Sequence, residues 1–344
     1  MQKKSLNGFT LEELIKIIYK EGFPSYRAKQ IFHWVQKKKV NSFQEMNNLP
    51  KKMLNWLDNN FLLYHLESLN NIKSKDGSEK FLFKLHDNHL IESVLIRGKK
   101  RNTICLSSQV GCMWHCLFCA SGKDGFKRNL LVSEIVEQIL AIERITGEKA
   151  DNIVFMGMGE PFNNYHNVME TIQIINSKSG LNIGIRKITI STCGIIPGIK
   201  KLSQSPMQVE LSVSLHSADD KTRTSLMPVN QKYPLKELIA SCRDYTRIKN
   251  RQITFEYLML DGINDSIEDA NTLGQMISDF EAKVNLIAYN PLPSEKRLIS
   301  SDEKTISVFI QALRTKHIPV TVRYSRGRDI QAACGQLRNQ YQDR

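Results

Sequence analysis

The sequence predicts an α/β fold: a parallel sheet built from six βα units, preceded by a small helical domain and a linking β-hairpin. Three observations carry this. From Cys105 onward, short apolar strand-like runs alternate with longer amphipathic ones. Before residue 66 the apolar residues recur with helical spacing, and between the two regions lies a run of two-residue alternation. Residues 1–66, 67–100 and 101–344 are therefore expected as helical domain, hairpin linker and α/β core.

In the first region, Thr10 followed by Glu13 makes a capping box, and Leu11, Leu14, Ile15 and Ile18 then share one helical face. A second helix begins near Ser25, with Ala28, Ile31, Phe32 and Val35 inward and "QKKK" (36–39) outward; a third covers "PKKMLNWLDNNF". In "EKFLFKLHDNHLIESVLIR", Phe81, Phe83 and Leu85 alternate, and Asp87-Asn88 supplies the turn of a hairpin. The core's strands are expected at "TICLS", "NIVFM", "RKITIS", "VELSVSL", "QITFEYLM" and "KVNLIAY", with a seventh at "IPVTVRY". Helices should fill 133–146, 165–177, 195–203, 234–248, 266–280 and 302–315. Such units form either an open doubly wound sheet or a partial barrel.

The 344 residues carry a formal charge of +13, with 41% hydrophobic and 24% charged residues, which is globular rather than disordered. Residues 1–100 alone hold 18 Lys/Arg against 10 Asp/Glu, pointing to a polyanionic partner such as nucleic acid. There is no long apolar run and no apolar signal core in "MQKKSLNGFT", so a cytoplasmic protein without membrane contact is expected. Seven cysteines, several of them clustered, argue against a disulfide framework and for metal binding or catalysis.

The chemistry starts in "GCMWHCLFCASG", where Cys112, Cys116 and Cys119 follow the first core strand at spacings of four and three. Three thiolates and His115 are a zinc set, but structural zinc sites usually join two distant halves. A compact loop of three soft ligands fits better a 4Fe–4S cluster with one iron left open. S-adenosylmethionine (SAM) can chelate that iron through its amino and carboxylate groups and yield a 5′-deoxyadenosyl radical on one-electron reduction. The strand ends agree. "GMGEP" (157–161), Ser191, "SLHS" (214–217) and "YNP" (289–291) all stand at the carboxyl ends of consecutive strands, where parallel sheets bind ligands. Gly157 and Gly159 would admit a ligand to the backbone, and Glu160 could hold its ammonium group.

The stretches "CLSSQVGCMWHCLFCASGKDGFKRNL", "VFMGMGEPFNNY", "SLMPVNQKYPL", "FEYLMLDGINDS" and "RGRDIQAACGQLR", with "GFPSYRAKQIFHW" in the basic domain, resemble the radical-SAM ribosomal RNA adenine methyltransferases, the RlmN and Cfr enzymes. The likeness runs from about Gly22 to Arg338 and implies a partial (β/α)6 barrel. It implies that Cys334 carries a methyl group taken from one SAM, that a radical from a second SAM activates it, and that Cys105 resolves the resulting enzyme–RNA thioether. Glu92, on an otherwise apolar strand, matches a carboxylate assigned as proton acceptor, a role Cys105 also matches. Gly159, Glu160, Ser191, Ser214, Leu215, His216 and Asn290 match SAM contacts, His216 being equally readable as a structural histidine.

Pro161 after Glu160, "RGRDI" and "GFKRNL" are as in the RlmN branch, which implies methylation of carbon 2 of adenine-2503 in 23S rRNA, and of adenine-37 in tRNAs. The Cfr branch, acting on carbon 8, is the alternative. Implied partners are 23S rRNA before ribosome assembly is complete, tRNA, and an electron donor such as flavodoxin or ferredoxin. Cys193 and Cys242 match no catalytic position and read as filler, and Trp34 and Trp56 as core. A radical enzyme acting on a protein or metabolite would not need the basic domain, and an RNA-binding protein with structural zinc would not need SAM.

Overall fold

A computed structural model describes residues 3–338 apart from Tyr64, Pro293 and Ser294. The helical domain comprises α1 (Leu11–Lys20), α2 (Tyr26–His33) and α3 (Lys51–Asn60). The expected capping box opens α1: the Glu13 N–H donates to Thr10 Oγ1 at 3.2 Å, and the Thr10 N–H donates to Glu13 Oε2 at 2.8 Å. After α2 the chain continues as a π turn, Trp34–Lys38, ending at Lys39 in the left-handed region. The wider turn shifts the helical phase, so Gln36 is buried rather than outward, while Lys37 and Lys38 remain exposed. Phe32 and Gln36 pack over Gly180, where any Cβ would lie 2.7 Å from Phe32. Lys39 pairs with Glu143 at 2.8 Å, so the basic domain is anchored directly on the core.

One ten-stranded sheet comes next, its strands hydrogen-bonded in chain order. Its strands β1 (Glu67–Lys73), β2 (Glu79–Lys84), β3 (Leu90–Arg97) and β4 (Asn102–Cys105) are antiparallel neighbours. The predicted hairpin is therefore three-stranded and extends the core sheet. Its first strand is nearly all exposed, so it carries no buried-face pattern for a sequence reading to find.

From β4 the strands run parallel: β5 (Asn152–Phe155), β6 (Ile188–Thr192), β7 (Glu210–Ser214), β8 (Ile253–Met259), β9 (Ala282–Ala288) and β10 (Val320–Arg323). The six crossovers contain α4 (Val132–Thr146), α5 (Tyr165–Asn176), α6 (Ile196–Gln204), α7 (Leu235–Lys249), α8 (Ile267–Ile277) and α9 (Glu303–Thr315). A doubly wound sheet reverses strand order at a switch point, and this one never does. Right-handed crossovers in constant order put every helix on one face, and the twisted sheet curls into a partial (β/α)6 barrel.

Register separates the two faces. Val213, Phe255, Val284 and Val320 lie side by side and meet the helices. Ser214, Glu256, Asn285 and Thr321 form the neighbouring row on the opposite face, with Ser191 beside Ser212 one step below. The concave face is thus polar.

Candidate active site

The loop after β4 carries the three clustered cysteines, each half-buried. Without a bound cation, burial pushes their thiols up, that of Cys112 to about 12, and each lies within electrostatic reach of another. The loop's path depends on glycine. Gly111 has φ +72°, and a Cβ there would lie 1.8 Å from the Gly125 carbonyl oxygen. Among the described residues no group of three or more His, Cys, Asp or Glu side chains is arranged to hold a single metal ion. Three half-buried thiols gathered in one loop are soft ligands of the kind that hold an iron–sulfur cluster.

Glu160, 4% exposed, accepts the Phe162 N–H at 2.9 Å on Oε1 and the Cys193 N–H at 2.7 Å on Oε2. Burial raises its pKa, against those bonds. Its own N–H donates to Gln109 Oε1 at 2.8 Å, which ties the "GMGEP" turn to the cysteine loop. Gly157 packs so closely on Leu106 that a Cβ would lie 2.6 Å from its carbonyl oxygen. Ser191 and Ser214 are half-buried on the polar face, and Leu215 is buried just beyond β7.

His216 is buried at φ +58°, edge-on to Phe118 with ring centroids 4.6 Å apart. Burial, then the Arg223 charge, lowers its pKa to about 3. Its Nδ1 accepts the Leu258 N–H at 3.0 Å, so the neutral ring keeps its proton on Nε2. Asn290 donates through Nδ2 to Ser325 Oγ at 2.8 Å and to the Cys334 carbonyl at 3.4 Å. Its Oδ1 is buried without a partner, which a ligand bound at these strand ends could supply.

Cys334 is the exposed member of the seven cysteines. Its turn rests on the cysteine loop: the Ala120 N–H donates to the Gly335 carbonyl at 2.7 Å, and Ser121 Oγ donates to the Leu337 carbonyl at 2.7 Å. Gly335, at φ +82°, lies where a Cβ would be 2.9 Å from the Phe118 carbonyl oxygen. The residue is exposed, yet its thiol stands deep among protein atoms, which push it up to about 11; Glu256 adds to this and Arg323 opposes it. Cys105 is buried at the end of β4 and is within electrostatic reach of Cys334, so the fold brings the two together.

Glu92 lies elsewhere around the same segment. It is 4% exposed, 3.0 Å from Lys80 Nζ, and accepts the Arg338 N–H at 2.9 Å. Burial raises its pKa while Lys80 opposes the shift. Lys80 also donates to the Gln331 carbonyl at 3.3 Å. Ser74 Oγ and the Lys75 N–H donate to Asp329, and the Gly327 N–H donates to Asp76. The three-stranded extension thus holds the segment that bears Cys334.

Sequence reasoning missed several residues here. Cys193, read as filler, places its thiol against Glu160 and near Cys112 and Cys116; its position two residues past Ser191 was the available signal. Cys242 is buried on α7 as expected, and Trp34 and Trp56 pack against the core. Glu256 was hidden in a strand read as apolar, and Arg223 in a run that looks solvated.

Known proteins share both the sequence and the fold. Residues 106–273 match the radical SAM superfamily, and residues 4–63 match the ribosomal RNA large subunit methyltransferase N-terminal domain. The "Dual-specificity RNA methyltransferase RlmN" of Desulfotalea psychrophila is 44% identical over 98% of this chain and 95% of its own. The "Probable dual-specificity RNA methyltransferase RlmN" of Clostridium perfringens is 42% identical over 98% and 97%. A crystal structure of a radical SAM methyltransferase from Sphaerobacter thermophilus superposes with a TM-score of 0.92 at 43% identity, covering 97% of this chain and 99% of that one. With both domains matched and the fold shared throughout, the chain belongs to the RlmN family of radical-SAM RNA methyltransferases, which implies SAM and an iron–sulfur cluster as cofactors.

Proposed function

We propose that the chain methylates carbon 2 of adenine-2503 in 23S rRNA and of adenine-37 in tRNAs, through a methyl group carried on Cys334. The observation that carries this reading is that Cys334, whose turn is docked on the cysteine loop, comes within electrostatic reach of Cys105 from the opposite end of the core. The relatives' printed names support both the RlmN branch, rather than the carbon-8 alternative, and the double substrate.

Cys112, Cys116 and Cys119 would hold a 4Fe–4S cluster, and Glu160, Gly159, Ser191, Ser214, Leu215, His216 and Asn290 would surround SAM. Bound together, the two cofactors supply a transferable methyl group and the means to remove a hydrogen atom. The protein's part is position. Glu160 offers a buried carboxylate for an ammonium group, and neutral His216 offers an Nε2–H donor.

Cys334 Sγ, on the exposed member of the seven cysteines, loses its proton on accepting the methyl group. Once that methyl has lost a hydrogen atom, its carbon joins carbon 2 of the adenine, tethering RNA to Cys334, and the adduct's unpaired electron would pass back to the bound cofactors. The proton on carbon 2 passes to Cys105 or to Glu92. Of the two, Cys105 is within electrostatic reach of Cys334, whereas Glu92 is held by Lys80 and Arg338. Cys105 Sγ then bonds to Cys334 Sγ as the bond from that sulfur to the tethered carbon breaks; the carbon takes up a proton to complete the methyl group, which releases the methylated base and leaves a disulfide for reduction. Flavodoxin or ferredoxin would supply electrons in the cytoplasm.

The base must leave its stack for carbon 2 to reach Cys334. Ribosomal RNA from a strain lacking the modification, treated with the enzyme, should gain 2-methyladenosine. Gain of 8-methyladenosine alone would overturn the assignment.

A further inference from the structure

The motif "SLMPVN" is prominent in the sequence and takes no part in the proposed chemistry. It follows Arg223 on a short helix, Asp220–Leu226, just beyond β7. Arg223 is fully buried, and no other wholly enclosed side chain in the described structure is larger.

Its guanidinium reaches the ends of two strands at once. Nε donates to the Leu215 carbonyl at 3.1 Å; Nη2 donates to the Cys193 carbonyl at 2.8 Å and to the Ser214 carbonyl at 3.2 Å. Nη1 donates to Asn230 Oδ1 at 2.6 Å, and Asn230 Nδ2 is fixed in turn by Asp220 and Thr224 at 2.8–3.1 Å. The "MPVN" turn therefore orients the guanidinium from behind. The same short helix touches the cysteine loop, where the Leu117 N–H donates to the Leu226 carbonyl at 2.9 Å. The charge faces Cys116, Cys193, Cys242 and Asp220.

A buried cation is costly, and a neutral residue could fill the space. The planar fork matches carbonyls that diverge from adjacent strands, which a lysine cannot do. We propose that Arg223 is a positioning residue: it fixes the β6 and β7 ends that line the SAM site, and its charge raises the reduction potential of the cluster at its Cys116 corner. This rests on the proposed roles of Cys116 as a ligand and of Ser214 and Leu215 as SAM contacts.

Arg223→Met and Arg223→Lys, each with its cluster reconstituted, test the proposal. Iron content, SAM binding by equilibrium dialysis and the cluster midpoint by EPR-monitored titration are the readouts. Arg223→Met should keep its iron, bind SAM at least about tenfold more weakly, and shift its midpoint to more negative potential. Arg223→Lys should weaken SAM binding similarly while holding the midpoint near wild type. SAM affinity within about twofold of wild type together with an unchanged midpoint in Arg223→Met would overturn the proposal.

If Arg223→Met does not fold, Arg223→Lys and Asn230→Ala decide. Asn230→Ala loosens the fork without removing its charge, so it should lose SAM affinity and keep the midpoint; full SAM affinity in both variants refutes the positioning role. The site reading is checked separately with Cys116→Ala in the wild-type background. Full iron retention there would remove the cluster from this loop, and the electrostatic half of the proposal with it.

Discussion

Replacing Gly159 with alanine should strike the SAM site directly. The residue sits at φ +95°, and its new Cβ would lie 2.4 Å from Gln109 Cβ, 2.7 Å from Gln109 Cγ and 2.8 Å from Gln109 N. Gln109 cannot yield. It is fully buried, and its side chain is held at both ends, by the Glu160 N–H at 2.8 Å and by Asn129 Oδ1 at 2.7 Å. A left-handed backbone costs an alanine about 1–2 kcal/mol, and overpacking a rigid contact adds about 1–3 kcal/mol. The cheapest relief is displacement of the turn that bears Glu160, so the strain should appear as SAM affinity lost by about 30–4000-fold.

Gly147→Ala isolates the two contributions. Gly147 caps α4 at φ +71° with nothing within 4 Å of its missing Cβ. Alanine there should cost about 1 kcal/mol of stability and leave SAM binding unchanged. Equilibrium dialysis of labelled SAM against the two cluster-reconstituted variants is the assay. Affinity within about twofold of wild type for Gly159→Ala would refute the argument that this turn forms the cradle.

Glu92→Ala strands the Lys80 ammonium, 8% exposed, beside the Gln331 carbonyl and should cost about 3–5 kcal/mol in urea unfolding. The double variant Lys80→Met/Glu92→Leu should recover most of that loss; equal loss in both would show that the pair is not the source. His216 gives a pH signature. Its folded pKa of about 3 lies below the unfolded value of 6.5, so the unfolded chain takes up a proton that the folded chain refuses. Stability should therefore fall by about 1.4 kcal/mol per pH unit as pH drops below the unfolded value. His216→Gln should flatten that slope, and an unchanged slope would exclude the buried neutral ring. Cys105→Ala should accumulate an enzyme–RNA adduct that wild type resolves, seen as a nuclease-sensitive shifted band; free methylated product without an adduct would deny Cys105 its resolving role.

Much of the fold was legible because the core alternates two periodicities. Seven parallel strands and six helices fall where "NIVFM", "RKITIS" and their neighbours put them. The features that escaped have physical reasons. Strand β1 is exposed on both faces and exists by pairing with β2. Gln36 turns inward because a π turn shifts the helical phase, which no periodicity count anticipates. The cysteine loop and the strand-end residues were readable locally. The convergence of Cys105 with Cys334 was not, since strand order and the docking of a distant segment bring it about. Arg223 drew no reading from the sequence because nothing in "DDKTRTS" reveals that three carbonyls wait for it.

The central claim is that Cys334 carries the methyl group. Peptide mass spectrometry of enzyme reconstituted with iron and sulfide and incubated with methyl-deuterated SAM tests it most directly. One deuterated methyl group is expected on the Cys334 peptide before RNA is added, with its transfer to adenine afterwards. Methylated RNA formed by cluster-replete enzyme whose Cys334 never carries the label would contradict it.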